Sequence, residues 1–323
     1  MNKEVKYTAE DEEEIDLREV FSVFWEGRFI IVAGLMLSAI LGGTYALNLP
    51  NKYTADALLA PRAEGAASGR LASLASQYSG LAGLAGIDLG GIGGNNKAMI
   101  AMELLKSREF FGEYLYEIVL VDLMASKTWD FADDMVLYDA SIYEVETGEW
   151  VREVEPGRQS KPSVQEAHKN FLPLMTVSED SKTGFVSIAV THFSPRVARD
   201  WVTLIILGVN DAIRARDVEE AEKSIAFLNE QRSMTSLVSL TEVFAALIEE
   251  QTKTVMLARA SDEYVFQVIE PPVISEERSE PSRGVIVIVI VMVGGLITLL
   301  LLFVRNALGK NSNAPPSSND AKG

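Results

Sequence analysis

Two uninterrupted apolar runs dominate the hydrophobic pattern, one near each end of the chain, and the residues between them alternate polar and apolar positions at shorter periods. No charged side chain occurs from Phe29 to Leu49, and none from Gly284 to Val304. At an α-helical rise of about 1.5 Å, each run extends ~31 Å, the thickness of a bilayer's hydrocarbon layer, so both predict membrane-spanning helices. Two spans put both termini on one side of a membrane and everything between on the other. The chain therefore reads as a tail over 1–28, a span over 29–49, a domain over 50–283, a span over 284–304 and a tail over 305–323.

Shorter signals subdivide the rest. Asp16 followed by Glu19 reads as a helix start, with Ile15 stapled against Val20. Leu17, Val20, Phe21 and Phe24 then share one face, which suits a helix lying on the membrane surface with Trp25 at headgroup level, or equally the first turns of the span itself. After Pro50, Tyr53 to Leu59 has strand character and ends at Pro61. Glu64 to Asn96 is rich in Gly, Ala, Ser and Leu and is expected to be a surface segment. Its glycines and Lys97 do not make a phosphate loop, because Asn96 and Ala98 stand where Gly and Ser or Thr are required.

Ile100, Leu104, Leu105, Phe111, Leu115 and Ile118 recur at helical spacing and predict one helix over 97–121. Ser163 and Glu166 form a capping box for a short helix reaching about Leu172. Period-two segments over 174–177 and 185–193, joined by a polar turn, predict a hairpin. Ser194-Pro195 opens a stretch with one glycine, Gly208, and no proline until about Ala260. Unbroken, it would extend ~95 Å, so a fold-back is expected near Ser233 to Ser239. Glu219, Glu220, Glu222, Glu230, Glu249 and Glu250 give it a wet face, whereas Ile213, Ile225, Leu228 and Val238 need partners. Tyr264 to Ile269 returns as a strand before Pro271-Pro272. The fold class is α+β: a base sheet of these strands, long extended helices, and a transmembrane helix at each end.

Composition narrows the function classes. The 323 residues carry a net charge of −17, which would repel nucleic acid. There is no cysteine, hence no disulfide and no thiolate metal site. The two histidines, His168 and His192, lack metal-like partners at fixed spacing and read as structural. Asp133 and Asp134 are adjacent and read as a solvated loop, and no Gly-x-Ser-x-Gly elbow is present. The expectation is a chain without catalytic residues, metal or cofactor. A cleaved signal peptide fits poorly, because nine acids and four bases precede the first apolar run. Lys and Arg are balanced about both spans, so charge does not orient the protein.

Within the spans, Gly34, Ser38 and Gly42 recur every four residues, with Ala39 and Gly43 offset by one, and Gly294-Gly295 lies mid-span in the second run. Small residues at this spacing let helices approach closely in lipid, so these positions are read as span packing, within or between subunits. Pro271, Pro272, Pro281 and Arg283 mark the approach to the second span.

Several segments carry a family resemblance: Ile15-Asp16-Leu17, Tyr53-Thr54-Ala55 with Leu58 and Pro61, the Leu-Ala-Gly-Leu-Ala-Gly-Ile stretch over 81–87, and Leu105-Lys106-Ser107-Arg108-Glu109-Phe110. Val186-Ser187-Ile188 running to Ser194-Pro195, and Leu247-Ile248-Glu249-Glu250-Gln251-Thr252-Lys253, continue it along nearly the whole chain. The chain resembles the Wzz-type chain-length determinants, the polysaccharide co-polymerases. The resemblance implies a two-pass inner-membrane protein with cytoplasmic termini, a periplasmic α/β base domain and long helices, assembled as a homo-oligomeric ring. It further implies that the protein is not an enzyme and sets, with the O-antigen polymerase, the length of a lipid-linked polysaccharide. One departure is Ser282-Arg283, where family members often have lysine after the membrane-proximal proline. Some relatives continue into or work with a tyrosine kinase; with 19 residues after the second span, that branch is not expected, and a two-span sensor or an adaptor for a separate export kinase is the alternative.

Overall fold

The computed structural model of the chain describes residue 25 and residues 27–62, 94–235 and 237–312. The expected helix start at Asp16 and most of the Gly-rich segment lie outside the described residues. The chain divides into two units, Met1–Leu49 with Pro281–Gly323, and Pro50–Glu280. In the first, helix α1 (Arg28–Asn48) packs along helix α8 (Arg283–Ser312). Both are long and apolar enough to cross a membrane.

The second unit is built on a four-stranded antiparallel sheet. Strand β1 (Tyr53–Pro61) pairs antiparallel with β7 (Val186–His192), from Tyr53↔His192 to Leu59↔Val186. On the outer edges lie β6 (Met175–Glu179), against β7, and β8 (Phe266–Glu270), against β1. The period-two signal is realised as burial: Val186, Ile188, Val190 and His192 point inward, and Ala55, Ala57 and Leu59 do the same from β1 while Asp56 faces water. Helix α6 (Pro195–Met234) lays its first half across that inner face, with Trp201, Val202, Ile205 and Val209 buried against the strands. Ser194 starts it by accepting from the Val197 amide. Its 40 residues make it about 60 Å long. The chain then turns back into α7 (Val238–Ala260), which pairs with the second half of α6.

The expected helix over 97–121 is instead broken. Helix α2 covers Gly94–Leu105, so Gly94 to Asn96 are helical. Ser107 stops the run because its side chain accepts from the Phe110 amide and caps a new start, α3 (Arg108–Phe110). A π-helical turn, Phe111–Leu115, follows and leads into α4 (Tyr116–Ala125). The wide turn lets the neighbours Phe110 and Phe111 both bury, at 1% and 0% exposure. Phe110 and Tyr114 lie on Gly208 of α6, where an added Cβ would sit 3.2 Å from the Phe110 ring.

Two small hairpins follow that the hydrophobic pattern does not announce: β2 (Ser126–Asp130) with β3 (Met135–Tyr138), and β4 (Tyr143–Glu144) with β5 (Glu149–Trp150). Asp134 ends the first turn at φ +50°, accepting from the Trp129 indole and pairing with Arg196, so it is anchored and not merely solvated. Helix α5 (Val164–Phe171), capped by Ser163, adds Ala167 and Phe171 to the core.

Candidate functional site

The candidate packing residues of the spans meet across the α1–α8 pair in one antiparallel register. A Cβ added at Gly34 would lie 2.3 Å from Thr298 Oγ1, one at Gly294 1.9 Å from Ser38 Oγ, and one at Gly42 3.1 Å from Ile290 Cγ2. Each advance of four residues along α1 is matched by a retreat of four along α8. The exchange is reciprocal. Ser38 sits on Gly294 while its hydroxyl donates to the Gly34 carbonyl at 2.8 Å, and Thr298 sits on Gly34 while its hydroxyl donates to the Gly294 carbonyl at 2.7 Å. Each hydroxyl is thus satisfied within its own helix and presents only carbon and a spent oxygen to the partner glycine. Gly295 approaches Leu35, with its added Cβ 3.1 Å from Cδ2, and Gly43 faces open space. Two participants escaped the sequence reading: Thr298, four residues after Gly294, and Gly27, whose added Cβ would lie 2.0 Å from Leu302 Cδ1. A glycine with a hydroxyl residue at i+4, present in both runs, is the signal that could have found the first.

The proline-bearing approach divides between the two units. Pro271 and Pro272 follow β8, after which the chain returns to the start of β1: Lys52 bridges to Glu280, its carbonyl accepts from the amides of Ser279 at 2.9 Å and Glu280 at 3.2 Å, and Ser279 Oγ accepts from the Thr54 amide at 2.9 Å. Pro281 and Arg283 belong with α8, and the Arg283 guanidinium reaches the Leu49 carbonyl at a long 3.5 Å. Within each unit, therefore, the segment after the first apolar helix and the segment before the second are hydrogen-bonded to one another.

Among the described residues of the domain, Asn210 is the buried polar group with the most connections. At 3% exposure, its Oδ1 accepts from the Val265 and Phe266 amides at 2.8 and 3.0 Å, and its Nδ2 donates to the carbonyls of Ile206 and Phe266. It pins β8 to α6. Nearby, Asp217 Oδ2 receives both Lys97 Nζ and the Tyr264 hydroxyl at 2.8 Å. Burial first, then the bond to Asp217, pushes Tyr264 up to about 12, so it stays a neutral donor at ordinary pH. His192 is buried at the end of β7; its Nδ1 accepts from the Ser194 amide, which leaves Nε2–H to donate to the Asp122 carbonyl at 3.2 Å. Desolvation holds its pKa below the ordinary value. His168 lies on α5, 3.0 Å from the Lys106 carbonyl and against Phe111. Each histidine is thus engaged in packing its own element. Among the described residues no group of three or more Asp, Glu or His lies close enough to hold a metal ion.

Residues 13–118 match the family model described as the chain length determinant protein, Wzz. Over those residues the match bears out the resemblance carried by the sequence. No curated protein matches the chain. Among solved structures the chain is similar to a full-length bacterial polysaccharide co-polymerase, at 13% identity and a TM-score of 0.40 over 93% of this chain and 100% of that one. It is also similar to a fragment of WzzB, a polysaccharide co-polymerase from Salmonella Typhimurium, at 10% identity and a TM-score of 0.30 over 71% of this chain and 100% of that one.

Proposed function

We propose that this protein sets the length distribution of a lipid-linked surface polysaccharide, lipopolysaccharide O-antigen or a related glycan, as a homo-oligomeric scaffold in the bacterial inner membrane. It works beside the polymerase and is itself a regulator, not a catalyst. Both termini are cytoplasmic, α1 and α8 cross the membrane as a pair, and the sheet with its long helices occupies the periplasm. The observation that carries this reading is the match of residues 13–118 to the chain length determinant model.

Two features of the chain agree with it. Gly34, Ser38, Gly42, Gly294 and Gly295 hold the two spans together within one subunit, which leaves assembly to the periplasmic domain. The second half of α6 and its partner α7 offer large apolar side chains to water, including Phe227 at 60%, Met234 at 70% and Val238 at 74% exposure. A second copy would cover them, and a ring of such contacts supplies the scaffold. The segment from Pro271 and Pro272 to Pro281 and Arg283 returns the chain to the membrane beside the exit of the first span. In the proposed mechanism, subunit packing fixes how long polymerase and growing glycan stay engaged.

Deleting the gene in its own host and resolving the surface polysaccharide by repeat number tests this directly. A clustered ladder that broadens on deletion is the expected result. A ladder unchanged for every surface glycan overturns it and favours a two-span sensor or an adaptor for a separate export kinase.

A further inference from the structure

A cavity of about 310 Å³ opens at the Lys52 end of the sheet. Its walls come from the residue before β1 (Lys52), the end of β7 and the residue after it (Thr191, Phe193), the last turn of α4 (Met124), and the end of α5 with the turn that follows (Asn170, Leu174). This volume stands at the small end of ligand cavities, about 300–1,000 Å³, and suits one ring more than an extended chain.

The lining mixes apolar Met124, Leu174 and Phe193 with polar Thr191, Asn170 and Lys52, the Thr191 hydroxyl being shared with that of Thr54 at 2.8 Å. Asn170 Nδ2 donates to the Glu166 carbonyl at 3.2 Å, and among the described residues no donor reaches its Oδ1. A sugar presents the complementary surface, with C–H patches on the ring faces and hydroxyls at the rim.

Charge argues for a neutral ring. Lys52 lies 5.8 Å over the Phe193 ring and has the Glu280 carboxylate at 3.9 Å. Asp122, also on the wall, keeps its carboxylate bound to the Tyr138 hydroxyl at 2.6 Å, and His192 contributes no positive charge because its ring is buried and neutral. With the Lys52 charge offset by the adjacent Glu280 carboxylate, the cavity offers a phosphate or a uronic acid no net attraction. We propose that this cavity is a glycan subsite that holds one neutral sugar residue between Phe193, Asn170 and Lys52. The inference rests on the polysaccharide reading above. Because the Lys52 carbonyl also receives the Ser279 and Glu280 amides, the bound sugar would touch the residue that joins the two ends of the domain.

The test uses the full chain in lipid nanodiscs and, as probe, neutral oligosaccharides released by mild acid from the host's surface polysaccharide. Saturation-transfer NMR should mark pyranose ring protons. Asn170→Ala should weaken binding about fivefold, the loss of one hydrogen bond. Asn170→Trp, at an exposed helical position where folding is readily checked by thermal melting, should fill the mouth and abolish the signal. Absence of transfer to wild-type protein, equal transfer to Asn170→Trp, or competition by inorganic phosphate would each overturn the proposal. Its failure is separable from that of the chain-length reading. If deletion broadens the ladder and Asn170→Trp restores it fully, the subsite is wrong while the function stands; if deletion changes nothing, the function itself is wrong.

Discussion

The two halves of α6 have the same helical periodicity and opposite fates. From Pro195 to Ile213, buried positions recur at 198, 201, 202, 205, 206, 209 and 213, because the sheet supplies a second layer for the stripe to rest on. From Arg214 to Met234, Ala221 alone is buried, and on α7 Ala258 alone. Here two helices face one another with no third layer. An apolar stripe in the sequence announces a need for a partner without saying whether the same chain provides it. In the first half intramolecular packing meets that need; in the second, Phe227, Met234 and Val238 remain exposed, which is the physical basis for proposing a second copy there.

The largest loss is expected at Asn210, which bonds β8 to the buried half. Asn210→Leu leaves two buried amides without acceptors and should cost about 3 kcal/mol or more. A thermal melt of the full chain should register this as a loss of roughly 6–12 °C for a domain of this size. A melt unchanged would mean that the first half is not held as described.

Next in size is the span pair. Gly294→Leu forces a branched side chain onto Ser38 and should cost about 1–3 kcal/mol of packing. Since the chain has no cysteine, Gly42→Cys with Ile290→Cys makes a clean reporter. A Cβ at 42 would lie 3.2 Å from Ile290 Cβ, near the separation a disulfide needs. Oxidation should cross-link within one chain, with lower yield when Gly294→Leu is added. A dimer-sized product instead would place these faces between subunits.

In the exposed half, Phe227→Glu combined with Val238→Glu should leave monomer stability within about 0.5 kcal/mol, as surface changes usually do, yet abolish assembly in native mass spectrometry. The smallest effect is pH-dependent and belongs to the buried half. The folded-state pKa of His192 is lowered, first by desolvation, so the unfolded chain takes up a proton more readily than the folded one. Stability should therefore be fully present above the ordinary value of 6.5 and fall as pH drops below it. His192→Gln should remove that slope, as read from melts across the pH range.

The sequence made most of this arrangement legible wherever the signal was local. Ser163 and Ser194 mark helix starts, the alternation over 186–192 marks an inward strand, and two long apolar runs mark α1 and α8. It misled where a cap interrupts a continuing period: Ser107 breaks the stripe that joins Ile100 to Ile118. The hairpins β2–β3 and β4–β5 were missed because they are short and largely exposed, so no alternation is imposed on them. At the candidate site, the glycine positions were readable but their partners were not. That Thr298 meets Gly34, or that Asn210 receives the Val265 and Phe266 amides, is fixed by register between distant elements and leaves no mark on either segment alone.

In the proposed mechanism, assembly through the exposed half of α6 and α7 sets glycan length. The most direct test complements the gene deletion with the wild-type chain or with Phe227→Glu/Val238→Glu, then resolves the surface polysaccharide by repeat number. The wild type should restore a clustered ladder, and the variant, present in the membrane at equal amount, should leave it broad. A variant that restores the wild-type ladder would contradict it.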